Sequence, residues 1–471
     1  MPLVKHPLPS TLPPHLLALQ TWKHKVLSSV DLVIPGEFDA PVPTLRQLVQ
    51  IPVPNQRYIN KDNAEVLGTW WLGHVELFAT AYVGRDPVTY AKAWKSKDAD
   101  EWQKACQYEI DALHKNNTWE LVNLPAGHKA VKSKWVFNLK ANGCLCAQLV
   151  AKGFMQIPGI DYDETFSPVT CFESLQLLLA LAVLKDWHIH QMDIKSAFLN
   201  GVHDEEIYME QPQGFIVAGM ENKVCKLKKS IYGLKQASHT WNLQFHGFLL
   251  ELSFKWTSSD AGVYVIHQSQ GEDSLSLLII ILYIDDITIM GTSLEAVKQL
   301  EDDLQKCYKM SDLGKIESYL EIHITCNRSH KFIEIDQSGY VKDVLDHFGM
   351  MDANPHYTPL LAGAAVNLVK NTEWASPVEI KHYQSLIGSL LYVQIGTCLD
   401  ISFAVSCLAQ YAANPSKNHL HLAQYILSYL VWTVDICLCY DGANGNGLHG
   451  YSDSCMGDDT EDHHSTSVYV F

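Results

Sequence analysis

Asp193, in QMDIKSAFL, and Asp285-Asp286, in LLIIILYIDDITIMG, each stand at the end of a short apolar run. Runs this apolar do not face water, so the carboxylates are predicted at the rim of a core. Three carboxylates brought together repel one another unless cations neutralise them, and an all-oxygen donor set selects Mg2+ or Mn2+. Two ions held this way can deprotonate a hydroxyl, align it with a phosphate and stabilise the leaving oxygen, which is the chemistry of phosphoryl and nucleotidyl transfer. The bland alternative is that Asp285-Asp286 only turns a hairpin, since Asp is a common turn residue.

The charge map weighs against that alternative. Among 471 residues, 52 Asp and Glu face 35 Lys and Arg, a net charge of −17 that excludes a generally basic coat for nucleic acid. The positive charge is nevertheless segregated. Between Glu120 and Asp161 there is no acid, but there are Lys129, Lys132, Lys134, Lys140 and Lys152. Between Glu221 and Glu251 there is again none, against Lys223, Lys226, Lys228, Lys229 and Lys235. Such windows suit a phosphate backbone or a nucleotide triphosphate, and Trp135, Phe137, Phe154, Tyr232 and Trp241 lie among them. Two solvated lysine faces over core aromatics are the plainer reading.

Periodicity predicts the elements that would position these groups. A helix is expected from Asp86-Pro87 through Trp94, Trp102, Ala105, Ile110 and Leu113, stopping at Asn116-Asn117. Trp135–Lys140 and Leu145–Ala151 read as strands joined by an Asn142-Gly143 turn. Ser174–Trp187 reads as a buried helix, Ile189–Ile194 as a strand, and Ile280–Met290 as two strands around the acidic pair. Thr292 with Glu295 predicts a capping box for the next helix, and helical patterns return at Tyr340–Phe348, Tyr383–Val393 and His419–Leu430. The interleaving lacks the regular alternation of a doubly wound sheet, so the class is α+β.

Residues 1–85 hold ten of the nineteen prolines and read as a loosely ordered leader. Apolar content of 47% and charged content of 18% exclude a disordered or fibrous chain. The longest apolar runs, Leu177–Leu184 and Leu277–Ile284, are too short for a bilayer, so no membrane partner is expected. No secretory leader opens the chain, and a cytoplasmic location with mostly reduced cysteines is expected. His188/His190 and His419/His421 read as ordinary structural histidines, with no third metal ligand evident.

Six blocks, KSKWVFNLKANG, LVAKGFMQIPGIDYDETFSPV, IHQMDIKSAFLNG, EEIYMEQPQGF, VCKLKKSIYGLKQ and LYIDDITIMG, together resemble the reverse transcriptase of copia-type LTR retrotransposons, a Pol polyprotein fragment. The likeness runs from about Asp86 to Phe471, in the family's order. It implies a right-hand polymerase fold. Fingers and palm would span 86–316, a thumb-like segment 317–360, a connection 361–445 and a truncated ribonuclease H-like start 446–471, with 1–85 the remnant of upstream Pol. It further implies RNA-directed DNA polymerisation with two Mg2+, or Mn2+, ions, an RNA template, a DNA primer and dNTPs.

By that resemblance Asp193, Asp285 and Asp286 are the catalytic, metal-binding carboxylates, the first two bridging the ions and Asp286 assisting at the primer end. Phe198 would close off the sugar 2′ position, unless it is merely core. Tyr232, Gly233, Lys235 and Gln236 would lie beneath template and incoming nucleotide, with Lys134, Lys140 and Lys152 as triphosphate or template contacts. Asp453 matches the first ribonuclease H carboxylate; the others of that site would lie beyond Phe471, so no ribonuclease H activity is expected.

The chain departs from the family pattern at several points. Gln148 stands where a cation is expected over the triphosphate, Ser238-His239 where Pro-Arg is, and Glu321 where a glycine closes a turn. Most of these changes each need one C-to-T substitution on either strand; Cys146 in place of Lys does not. A decayed, non-catalytic remnant that at most binds nucleic acid is therefore the second reading. A metal-dependent hydrolase unrelated to polymerases is a third, which would account for the acids but not for the ordered blocks.

Overall fold

The computed structural model describes residues 87, 89–139, 143–202, 205–269, 275–443, 448–454 and 467–470. The leader expected at 1–85, and the residues Lys140 and Asn142, lie outside the described residues. Helices α1 (Tyr90–Ala93) and α2 (Ala99–Lys115) come first, then strands β1 (Trp119–Val122), β2 (Ser133–Leu139) and β3 (Leu145–Ala151). Helix α3 (Phe172–Lys185) leads into β4 (His188–Ile194), β5 (Tyr208–Met209) and β6 (Val224–Leu227). Helix α4 (Ala237–Glu251) precedes β7 (Lys255–Trp256), β8 (Val263–Ser269), β9 (Leu275–Tyr283) and β10 (Asp286–Gly291). Helix α5 (Leu294–Cys307) is followed by β11 (Met310–Lys315), β12 (Ser318–Tyr319), β13 (Ile322–Asn327) and β14 (Phe332–Asp336). Helices α6 (Ser338–His347), α7 (Pro377–Gly396), α8 (Ser402–Ala409) and α9 (Lys417–Thr433) come next. Strands β15 (Leu438–Asp441), β16 (Tyr451–Ser454) and β17 (Ser467–Val470) close the described chain.

A six-stranded sheet, ordered β11-β4-β10-β9-β8-β7, carries the acidic residues. The run LLIII in β9 is continuous rather than alternating because both faces of this sheet are covered. Leu278, Ile280 and Leu282 enter one core with Ile287 and Ile289 of β10, Trp241 and Phe245 of α4, and Val297 of α5. The intervening Ile279 and Ile281 enter a second core with Leu175 and Leu179 of α3. That second core also holds Ile322, Ile324, Ile333 and Ile335 of a four-stranded sheet, β12-β13-β14-β15. Helices α6 to α9 share a third core of Val341, Leu386, Leu390, Val405, Ile426 and their neighbours. A three-stranded sheet, β1-β6-β5, and the hairpins β2–β3 and β16–β17 complete a mixed α/β chain whose named strands all pair antiparallel.

Three expectations are refined. The single helix from residue 86 is two helices, broken after Trp94, and the stop at Asn117 is a left-handed residue with φ 52°. The cap of α5 is Ser293, one residue later than expected; its hydroxyl accepts from Ala296 N at 3.3 Å and donates to Glu295. Thr292 is otherwise engaged, accepting the amide of Leu277 at 3.1 Å. The expected boundary at 360/361 falls between helices that share one core. Among the described residues no helix is long and apolar enough to cross a membrane.

The double-sided burial of β9 has a measurable consequence. Ile280 is fully buried, so Ile280→Ala should cost about 2–5 kcal/mol, read as a lower denaturant midpoint with an unchanged m value.

Candidate active site: a carboxylate turn on a buried sheet

Strand pairing brings the three acids together. Asp193, one residue from the end of β4, is the register partner of Asp286, the first residue of β10. Asp286 also pairs with Tyr283, leaving Ile284-Asp285 as a two-residue turn. Ile284 takes φ 57°, a left-handed conformation that a β-branched side chain adopts only under constraint. The constraint is visible: Trp241 Nε1 donates to the Ile284 carbonyl at 2.6 Å, and Ile194 N donates to the Asp285 carbonyl at 3.0 Å.

The electrostatics match three like charges in a half-dry place. Burial, then repulsion from Asp193, raises the Asp285 carboxyl to about 6, although hydrogen bonds from the Tyr232 hydroxyl and a backbone amide work against it. Burial, then Asp285 and Asp193, raises Asp286 to about 7. The donor set is hard oxygen with surplus negative charge, which fits a small dication. Among the described residues no three His, Cys, Asp or Glu side chains are gathered into a ready metal cage.

The predicted neighbours fall around this turn to different degrees. Phe198, in a short 3-10 turn after β4, is 6% exposed and meets the Tyr232 ring edge-on at 4.6 Å. The Tyr232 hydroxyl also hydrogen-bonds Gln148 of β3, and its pKa is pushed well up by burial and by the charges of Asp285, Glu109 and Asp193. Gly233 (φ 85°) and Gly153 meet backbone to backbone: a Cβ on Gly153 would lie 2.1 Å from the Gly233 carbonyl oxygen. The amide of Ala151 donates to the Tyr232 carbonyl at 2.7 Å, so the β2–β3 hairpin is stitched to this loop. Lys235 offers its backbone amide to Gln156 Oε1 at 2.8 Å. Gln236 is 1% exposed, receiving from Gln156 Nε2 and donating to the Asp161 carbonyl, so its side chain serves the loop itself. Lys134 is exposed on β2, and Lys152 is half-buried just past β3. Asp453 is exposed on β16, which pairs with β17.

Sequence reasoning missed several participants. Glu109 of α2 is half-buried beside Tyr232; its carboxylate accepts from Leu149 N at 3.2 Å and its pKa is raised by burial. Among the described residues it has no cationic partner. No pattern singled it out, because an acid on a helix reads as solvated. The lysine windows were also less free than they look. Lys226 pairs with Glu206 at 2.6 Å and Lys228 with Glu120 at 2.7 Å, acids supplied by other segments. His190, read as structural, pairs with Glu301 of α5 at 2.7 Å, tying α5 to the back of β4.

Antiparallel strands thus end on paired carboxylates, with an aromatic pair and a glycine-locked hairpin beside them. The family described as reverse transcriptase (RNA-dependent DNA polymerase) matches residues 116–362, and the chain belongs to it. It is a reverse transcriptase domain of the kind found in retrotransposon Pol polyproteins, a nucleotidyltransferase-type enzyme family. The chain is 38% identical over 400 residues to the retrovirus-related Pol polyprotein of transposon TNT 1-94 from Nicotiana tabacum, covering 82% of this chain and 29% of that protein. It is 34% identical over 391 residues to that of transposon RE1 from Arabidopsis thaliana, 82% and 26% covered. Against the transposon Ty5-1 protein of Saccharomyces cerevisiae it is 31% identical over 281 residues, 59% and 88% covered. The chain thus spans less than a third of the two plant polyproteins.

The raised carboxyls set a pH dependence. Between about pH 4 and 7 the folded state holds protons that the unfolded chain has released, so metal-free stability falls as pH rises through this window and levels off above about 7. Asp286→Asn should therefore raise the metal-free melting temperature by a few degrees at pH 8, with the gain shrinking toward pH 4. Differential scanning fluorimetry across pH reads this directly; an equal gain at all pH values would contradict it.

Proposed function

We propose that this chain is an RNA-directed DNA polymerase that extends a DNA primer on an RNA template, through two-metal nucleotidyl transfer from a dNTP to the primer 3′-hydroxyl. The observation that carries the reading is the Asp193–Asp286 register with Asp285 on the adjoining turn. In this reading the six-stranded sheet is the palm, the β2–β3 hairpin and the β1-β6-β5 sheet belong to the fingers, and helices α6 to α9 form the thumb-like part and connection. Asp193 and Asp285 would hold two Mg2+ or Mn2+ ions between them, with Asp286 toward the primer end. The ions, when bound, supply Lewis acidity at the 3′-hydroxyl and at the leaving oxygen.

The protein's own contribution is placement. The strained turn fixes the carboxylates before substrate arrives, so little reorganisation is needed during reaction. Phe198, packed against Tyr232, offers a ring edge where a ribose 2′-hydroxyl would collide, which favours deoxynucleotides. Lys134 and Lys152 bring positive charge from the hairpin that Gly153 and Gly233 lock over the site.

The second reading, a remnant that folds but polymerises poorly, is favoured by two observations. Glu109 lies beside Tyr232, whose hydroxyl bonds the neutral amide of Gln148, and Glu321 occupies a left-handed turn position. Primer extension on poly(A)–oligo(dT), with Mg2+ and with Mn2+, decides between them. Extension that falls more than about a hundredfold in the Asp285→Asn, Asp286→Asn double variant, beyond the loss of an outer-shell partner, supports the polymerase. No extension by the folded parent, and recovery on Gln148→Arg with Glu321→Gly, would establish the remnant.

A further inference from the structure

Strands β12 and β13 pair Tyr319 with Ile322, leaving Leu320-Glu321 as a two-residue hairpin turn. Both residues are left-handed, at φ 49° and 61°. Such turns favour Asn-Gly or Gly-Gly, because a side chain at positive φ crowds its own carbonyl. Neither residue here is glycine, so the turn needs an external hold.

That hold comes from the helical unit. The Tyr392 hydroxyl of α7 donates a hydrogen bond to the Leu320 carbonyl. The Tyr392 ring is itself wedged edge-on between Phe172 of α3, at 5.7 Å, and Tyr340 of α6, at 4.8 Å. One turn along α3 from Phe172, Gln176 Nε2 donates to the carbonyls of Ile395 and Gly396 at 3.1 and 2.7 Å, capping the end of α7. On the other side of the turn, Tyr319 is 2% exposed and its hydroxyl has no hydrogen-bond partner among the described residues. Its ring meets Tyr283 edge-on at 6.4 Å, and Tyr283 is the register partner of Asp286. A continuous row of packed groups therefore links α7 to the carboxylate turn.

We propose that Tyr392 is a positioning residue: its hydroxyl holds the Leu320-Glu321 turn, so that the docking of the helical unit sets where the β12–β13 hairpin stands beside Asp286. The consequence for catalysis rests on the polymerase reading above; the mechanical coupling does not. In that reading Asp286 lies toward the primer end, so loosening the hairpin beside it weakens primer–template binding and leaves dNTP binding unchanged.

The test uses the full chain with Tyr392→Phe, Glu321→Gly and the double variant. Hydrogen–deuterium exchange of the 318–327 segment should speed up about fivefold in Tyr392→Phe, the population change that one hydrogen bond of ordinary net strength produces. Exchange in α7 and α9 should not change, and Glu321→Gly should restore slow exchange in the double variant by relieving the turn. Unchanged exchange of the hairpin, or an increase spread evenly through α6 to α9, would overturn the proposal and leave Tyr392 a packing residue. In primer extension, KM for primer–template should rise about fivefold in Tyr392→Phe with KM for dNTP within about twofold, and fall back in the double variant. Should the parent not extend primers at all, the polymerase reading fails, and the exchange experiment alone still decides the clamp.

Discussion

Like-charge repulsion among Asp193, Asp285 and Asp286 is the constraint on which the rest of the structure depends. Burial and then mutual repulsion raise the Asp285 and Asp286 carboxyls and work against holding the strands that bear them together. They stay together because β4, β10 and β9 are pinned by antiparallel pairing and by apolar cores on both faces of the sheet. The hydrophobic burial of β9 therefore offsets an electrostatic cost concentrated at one turn.

Strain follows the same geography. Ile284 and Leu320-Glu321 hold left-handed conformations within one row of packed residues around Asp286. Each is held from outside its own segment, Ile284 by Trp241 and Leu320 by Tyr392. Local instability answered by tertiary contacts is typical of sites whose geometry is set before a ligand arrives. Gly153 and Gly233 solve a related problem without strain on a side chain, because their missing Cβ atoms let two backbones touch.

The departures from the family pattern acquire physical content in this setting. Where the resemblance implies a cation, Gln148 is an amide bonded to Tyr232, and the half-buried Glu109 lies beside the same ring. His239 is absorbed harmlessly: its Nδ1–H donates to the Phe166 carbonyl at 2.6 Å. Glu321 adds a side chain where the turn favours none. The substitutions thus differ in setting although their codon changes look alike, and under the polymerase reading proposed above the charge at position 148 and the backbone at position 321 are where they bear most on activity.

From sequence alone came the acidic positions, the buried strands around them, the ordered motif blocks and the α+β composition. These are local properties: apolar runs, turn residues and spacing are written along the chain, and burial on both faces shows as an unbroken LLIII. What only the tertiary structure decided was pairing between distant segments. The acid-free windows looked like bare positive surfaces until Glu206 and Glu120 arrived opposite Lys226 and Lys228. The two ends of the Gln236 amide likewise meet Gln156 and Asp161, 80 and 75 residues back in the chain. Glu109, Trp241 and Tyr392 gave no local signal, because their roles exist only where folding brings a carboxylate, an indole N–H or a phenol hydroxyl beside a group far away in the chain.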